Sequence, residues 1–123
     1  MSTSSPEQDD AVAAAEAAIA ALAENYIVWV GDDLTTARAA FVKAGETLPD
    51  NADAIAEIFG VSHNVKGQGS SFGFHLMTHI GASLCDYIRE GGPASEAKLK
   101  VIDAHLSALE FVLERQIKGD GGD

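Results

Sequence analysis

The chain of 123 residues has few of the residues on which several classes of protein depend. Its single cysteine, Cys85, excludes an internal disulfide and any zinc site built from several cysteines. Basic residues are also scarce, because eight Lys and Arg stand against nineteen Asp and Glu and give a formal net charge of −11. A surface this negative repels nucleic acid phosphates and anionic lipids, so neither is an expected partner.

Long apolar runs and a recognisable leader are missing as well. Glu or Gly interrupts the apolar runs well before the roughly 20 residues that a membrane-spanning helix needs. The first ten residues are polar and acidic, without the basic and then apolar order of a secretory signal. These features predict a cytoplasmic protein that does not enter a membrane.

The residues that are abundant favour helices. Hydrophobic residues make up 46% of the chain, and alanine supplies much of this fraction in the first half. Alanine is the best helix former, whereas the β-branched and aromatic residues typical of strands are sparse. The length suits one domain with one core. We therefore predict a single all-α domain over residues 7–118, with disordered tails at 1–6 and 119–123.

Apolar residues recur at helical spacing along the first part of the chain. The pattern runs through Val12, Ala15, Ile19, Leu22 and Tyr26, then Ile27, Val30, Leu34, Ala37, Phe41 and Ala44. It fits one long helix or two helices, and we favour a break or kink between Glu24 and Asp33.

Three further helices are expected. The first follows Pro49, with Asp50 as its N-cap and an inward stripe that includes Ile55, Ile58, Ser62, Val65 and Gly69. The second spans about residues 72–90 and buries Leu76, Ile80, Leu84 and either Tyr87 or Ile88. The third is capped by Ser95 and buries Leu99, Ile102, Leu106, Leu109 and Leu113. Short connections predict an up-and-down antiparallel four-helix bundle with an additional N-terminal helix or helical extension.

One segment carries side chains with chemical potential. His63 lies just off the inward stripe, and Lys66 and Gly67, three and four residues later, share its face. Glycine in a helix interior costs about 1 kcal/mol relative to alanine. That loss is understandable if a partner must approach the imidazole, because a β-carbon at position 67 would obstruct it. A neutral imidazole is a nucleophile, and Lys66 supplies positive charge nearby.

The segment from His63 to Gly73, HNVKGQGSSFG, resembles the motif of histidine-containing phosphotransfer (Hpt) domains. That motif is a helical His, then Lys-Gly at the third and fourth following positions, then small residues ending in an apolar residue and Gly. All of these elements are present, and the helix count fits over nearly the whole chain.

The resemblance implies that His63 accepts a phosphoryl group and relays it between receiver-domain aspartates of a hybrid histidine kinase and a response regulator. It further implies Lys66 and Gln68 as stabilisers of the phosphoryl group and Gly67 as the point of access. The expected docking surface consists of Phe59, Asn64, Phe72 and Phe74. Such a protein is a carrier rather than an enzyme and has no cofactor of its own, because the receiver domain supplies Mg²⁺. We expect a monomer.

Two alternatives belong to other classes. The first is an adaptor that binds a partner through its acidic or apolar faces without phosphorylation. The second is a metal-binding bundle, because His75 and His79 lie four residues apart, which is metal-ligand spacing on a helix. A zinc site needs two further ligands that the sequence does not supply nearby, so no metal is expected.

Overall fold

The computed structural model describes residues 6–89 and 91–118. Within these ranges the chain forms four α-helices: α1 (Pro6–Glu46), α2 (Ala52–Gln68), α3 (His75–Ile88) and α4 (Glu96–Arg115), with a short 3₁₀ helix at Gly69–Phe72. Helix α2 packs against α1 and α3, and α4 closes the bundle against α3 and α1. The prediction of an all-α four-helix bundle is confirmed. The predicted tails lie outside the described residues, except that Pro6 begins α1.

Helix α1 is continuous over 41 residues, so the predicted break between Glu24 and Asp33 is wrong. Gly31 does not interrupt the helix, and a β-carbon added there would stand 3.7 Å from Leu113 Cδ2, an ordinary packing distance. The buried positions of α1 begin only at Tyr26. The bundle therefore covers the second half of α1, and the first half extends beyond it.

Helix α1 also contains an 18-residue window with a mean hydropathy of 1.4, of which 6% is buried. By length and composition alone this window is apolar enough to cross a membrane, in contrast to the expectation from the sequence. Alanine accounts for most of its apolar character.

The connection from α1 to α2 is held by a buried asparagine. Asn51, rather than the predicted Asp50, is the N-cap residue of α2, and its side chain does not cap the helix. The amide of Asn51 instead donates to the carbonyl oxygens of Ala44 and Ala94, both at 3.0 Å, and accepts from the backbone N–H of Ala94 at 2.7 Å. One side chain thus joins the α1–α2 connection to the α3–α4 connection.

Helix α3 is shorter than predicted and rotated relative to the prediction. It begins at His75, and its buried residues are Met77, Gly81, Leu84, Cys85 and Ile88. Leu76 and Ile80 are only half-buried, and Tyr87 is exposed. The inward face therefore lies about one residue further along than the apolar periodicity indicated.

Helix α4 agrees with the prediction at its start and along most of its face. The Ser95 hydroxyl accepts from the Lys98 N–H at 3.1 Å, which caps the helix. Leu99, Ile102, Leu106 and Leu109 are buried, whereas Leu113 is partly buried. Arg38 of α1 fastens this helix, because its guanidinium donates to both carboxylate oxygens of Glu110 and to Asp103 at 2.7 Å.

Candidate functional site

His63 lies on the outward face of α2, near its C-terminal end. Ile58, Ser62 and Val65 point into the core, as the sequence predicted. The Ser62 hydroxyl donates a hydrogen bond to the Ile58 carbonyl oxygen at 2.8 Å. These contacts fix the rotation of α2 about its axis. His63 is consequently exposed, and its imidazole has no hydrogen-bond partner among residues 6–89 and 91–118.

Two side chains flank His63 on the side nearer α3. The half-buried ring of Phe59 lies one turn earlier, with its centroid 6.4 Å from that of the imidazole and the planes 25° apart. Exposed Lys66 lies one turn later and close to Cys85 of α3. Burial raises the pKa of the Cys85 thiol, and the Lys66 ammonium opposes that rise. The imidazole thus has an aromatic neighbour and a cationic neighbour.

Bare backbone flanks His63 on the other side. A β-carbon added at Gly67 would meet nothing within 4 Å, so no packing within the described chain requires glycine there. The same is true of Gly60, one turn before His63, which the sequence analysis did not single out. With 100° of rotation per residue, both glycines lie within about 60° of His63 around α2. Exposed Asn64 borders the same strip.

The close approach of α2 to α3 depends on another glycine that the sequence analysis missed. A β-carbon at Gly81 would stand 2.9 Å from the backbone nitrogen of Lys66 and 3.1 Å from Val65 Cγ1. Glycine therefore allows α3 to pack directly against the backbone beneath Lys66. Nothing local in the sequence reveals this role, because it arises only where two helices cross.

The chain beyond α2 turns sharply but does not fray. Gly69 is buried, and a β-carbon there would lie 2.6 Å from Thr78 Oγ1 and 2.8 Å from the backbone carbonyl oxygen of Phe74. The backbone N–H of Ser70 donates to Thr78 Oγ1 at 2.7 Å. Gly73 then adopts a φ of 87°, in the left-handed region that favours glycine. Gly69 and Gly73 therefore have structural roles, whereas Gly67 has none.

The aromatic residues after this turn divide between surface and core. Phe72 is half-buried and stacks on Tyr26, with centroids 4.9 Å apart. Phe74 is completely buried beside the same tyrosine, which removes it from the predicted docking surface. The reason is the reversal of the chain at Gly73, which directs the next side chain inward. Phe59, Asn64 and Phe72 retain accessible surface.

Lys66 and Gln68 are both exposed, but they differ in position relative to His63. Lys66 follows by three residues and lies about 60° around the helix from it. Gln68 follows by five residues and lies about 140° around. The lysine therefore shares the face of the imidazole, and the glutamine lies on the flank of α2.

The remaining histidines lie on α3 and α4. His75 Nδ1 is paired with Ser70 Oγ at 3.0 Å, and His105 Nε2 with Ser83 Oγ at 2.9 Å. Residues 6–89 and 91–118 hold no group of three or more His, Cys, Asp and Glu side chains arranged to bind a metal ion. An open cleft of about 330 Å³ between α3 and α4 is lined by His79, Ile80, Ser83, Ala104, His105 and Ala108. This cleft includes no residue of the predicted site.

Comparison with known proteins gives one family. The family model described as Hpt domain matches residues 7–111, which is most of the chain and includes the whole segment around His63. No curated protein matches the chain, and no solved structure does.

Proposed function

Because the chain belongs to the Hpt domain family, whose members perform histidine phosphotransfer in phosphorelay signalling, we propose that His63 is its phospho-acceptor. The observation that carries the proposal is the exposed imidazole, which has no hydrogen-bond partner in the described part of the chain and lies beside a glycine that no packing there requires. Glycine at position 67 does not stabilise the helix, but it leaves room for a partner to approach the imidazole. The bundle supplies a rigid support on which the imidazole stands clear of the surface.

The proposed chemistry exchanges one phosphorus bond for another. The outward ring nitrogen of neutral His63 attacks the phosphorus of an aspartyl phosphate on a receiver domain. A nitrogen–phosphorus bond forms as the bond between phosphorus and the aspartate oxygen breaks, and the carboxylate leaves. The reverse step returns the phosphoryl group to a second aspartate. Receiver domains bring the Mg²⁺, so this chain contributes the nucleophile and no cofactor of its own.

Lys66 is the principal electrostatic aid in this proposal. Its ammonium forms no ion pair within residues 6–89 and 91–118, so it is free to face the phosphoryl oxygens. As a point charge it can act from a range of positions, without the fixed fork geometry of arginine. Gln68, on the flank of α2, adds an amide donor once the partner has docked. Lys66 therefore contributes more than Gln68 to stabilising the phosphoryl group in this proposal.

The docking surface surrounds the imidazole on both sides. Phe59 provides an apolar contact on the α3 side, and the strip of Gly60, Asn64 and Gly67 lets the partner's backbone approach on the other. The exposed part of Phe72 extends this surface past the end of α2. A patch of this size suits a transient signalling contact, which is typically at the small end of the range of interfaces.

We assign the chain to the cytoplasm as a carrier between two receivers, one in a hybrid histidine kinase and one in a response regulator. The exposed position of His63 agrees with this role, because a carrier is itself the substrate of each transfer. No kinase or ATPase activity is part of the proposal. The partners supply the catalytic groups, and this chain supplies accessibility and charge.

The test is phosphoryl transfer from a phosphorylated receiver domain in the presence of Mg²⁺, followed by intact mass and fragmentation. We expect one acid-labile, alkali-stable phosphoryl group on His63. A His63→Ala variant should remain folded and unlabelled, whereas His79→Ala, which removes an exposed histidine on α3, should be labelled normally. Failure to label across a panel of receivers, with a folded protein, would favour the adaptor alternative.

A further inference from the structure

The first half of α1 extends beyond the bundle. Residues 6–25, here called the α1 extension, are exposed except for half-buried Ala23, and at 1.5 Å per residue they span about 30 Å. Three large apolar side chains on it are open to solvent: Val12 at 56%, Ile19 at 63% and Leu22 at 47%. Most helical stability in proteins comes from packing of an apolar face, and no residue among 6–89 and 91–118 buries these three side chains.

The apolar face of the extension has the spacing of a coiled-coil seam. Val12, Ala15, Ile19 and Leu22 follow at steps of three, four and three, and the next step of four leads to buried Tyr26. The seam is therefore a continuation of the stripe that the bundle itself covers. The bundle covers this stripe from Tyr26 onward, so a second helix is needed to cover the part that precedes Tyr26.

Charge on the two parts of the molecule is complementary. The extension carries five acidic residues and no basic residue, namely Glu7, Asp9, Asp10, Glu16 and Glu24. Two exposed cations lie at the end of the bundle from which it emerges, Arg115 as the last residue of α4 and Lys118 just beyond it, next to the acidic Glu114. Neither cation forms an ion pair within residues 6–89 and 91–118, and their contacts are with the rings of Phe111 and Phe74.

Helices α1 and α4 run antiparallel, which places those cations beside the base of the extension. Arg38 contacts Ser107 and Glu110, whereas Gly31 lies next to Leu113. Further toward the N-terminus of α1, Tyr26 packs on Phe74, and the ammonium of Lys118 lies 5.8 Å from the centroid of that ring. Arg115 and Lys118 are thus level with the point at which α1 leaves the bundle.

We propose that the α1 extension pairs with the same extension of a second copy of this chain, antiparallel, about a two-fold axis near residue 17. The seam is symmetric about that point. Val12 of one copy then faces Leu22 of the other, and Ala15 faces Ile19. These pairings are the alternating layers of an antiparallel coiled coil, and a two-fold interface uses the same patch on both subunits. The many alanines permit close approach of the two backbones.

The antiparallel arrangement also brings the opposite charges together. The N-terminus of one extension reaches the base of the other, so Glu7 and Asp9 come near Arg115 and Lys118 of the second copy. A parallel arrangement would leave these cations unused and place the acidic first turns beside each other. The interface uses none of His63, Lys66 and Gly67. The proposed dimer differs from the monomer that the sequence analysis expected.

A lipid bilayer is the competing occupant of the apolar face, and the charges argue against it. The helix has Glu16 and Glu24 within its apolar stretch, Glu7, Asp9 and Asp10 before it, and a pair of aspartates, Asp32 and Asp33, after it. Carboxylates are costly at membrane depth, and the charges next to the apolar stretch on both sides are acidic rather than basic.

The first experiment measures the mass of the full chain by sedimentation equilibrium over micromolar to high micromolar concentrations. We expect a reversible dimer, which Ile19→Glu combined with Leu22→Glu converts to a monomer with the bundle still folded. The matched control is Val42→Glu, which places a charge at another exposed valine of α1, outside the extension. A monomer at every concentration would overturn the proposal, as would a dimer that the double variant leaves intact.

The second experiment tests orientation by disulfide trapping in a Cys85→Ala background. We expect Val12→Cys chains mixed with Leu22→Cys chains to form a mixed disulfide, and neither variant alone to cross-link efficiently. Efficient self-cross-linking of Val12→Cys would show a parallel pair and refute the antiparallel arrangement. Sedimentation of the wild-type chain with neutral phosphatidylcholine vesicles, without dimers in solution, would instead assign the apolar face to lipid.

Discussion

Replacing Gly67 separates the stability of α2 from access to His63. An alanine at this position adds a β-carbon that meets nothing within 4 Å, so it introduces no clash. The substitution should therefore gain most of the difference in helix propensity, about 0.5–1 kcal/mol in the free energy of unfolding. Chemical denaturation should detect the gain as a higher midpoint with an unchanged slope.

A longer side chain at the same position should slow transfer while it preserves that gain. Gly67→Gln places an amide over the strip next to the imidazole, where the partner's backbone must approach. We expect the rate of phosphoryl transfer from a receiver to fall by about tenfold or more, which corresponds to roughly 1.4 kcal/mol in the barrier. The assay is the time course of labelling at a fixed concentration of phosphorylated receiver.

The control uses the same substitution where no partner is expected. Gly45, near the end of α1, is also exposed, and a β-carbon there would likewise meet nothing within 4 Å. Gly45→Gln should leave the transfer rate unchanged. A normal transfer rate in Gly67→Gln would refute the argument from steric access, whatever the effect on stability.

Three further predictions concern the support of the site. Gly81→Ala should destabilise the protein by about 1–3 kcal/mol, because the β-carbon would collide with α2, and chemical denaturation should show this loss. Asn51→Ala should cost about 2–4 kcal/mol in the same assay, since it leaves the backbone groups of Ala44 and Ala94 buried without partners. Tyr26→Phe should be neutral or stabilising by up to about 1 kcal/mol near pH 7, because the Tyr26 hydroxyl is buried and unpaired among residues 6–89 and 91–118. Burial raises the pKa of Tyr26 from 10.0 to about 12. The free energy of unfolding of the wild type should therefore fall by roughly 2–3 kcal/mol between pH 10 and 12, a loss that Tyr26→Phe does not share. Equal losses in the two proteins would contradict this assignment.

The sequence predicted most of the fold because its strongest signals are local. Ser95 caps α4 through its own side chain, and the buried stripe of α2 follows directly from apolar spacing. The break expected near Gly31 did not occur, because the surrounding sequence is rich in alanine. Helix propensity over a long segment outweighed one glycine and two aspartates.

The errors arose where long-range packing decides. Phe74 directly follows the segment from His63 to Gly73, yet the left-handed turn at Gly73 directs it into the core. The roles of Gly69 and Gly81 depend on atoms of other helices and leave no local pattern. Gly67, by contrast, could be singled out from the sequence, because glycine is unfavourable in a helix interior and this one lies four residues after His63.

The most direct test of the central claim follows one phosphoryl group in both directions. The chain is first labelled by a phosphorylated receiver domain, then purified and mixed with a second, unphosphorylated receiver and Mg²⁺. We predict that the phosphoryl group leaves His63 and appears on the aspartate of the second receiver, with no transfer through His63→Ala. Labelling of another residue, or a phosphoryl group that no receiver can remove, would contradict the account of His63 as a relay.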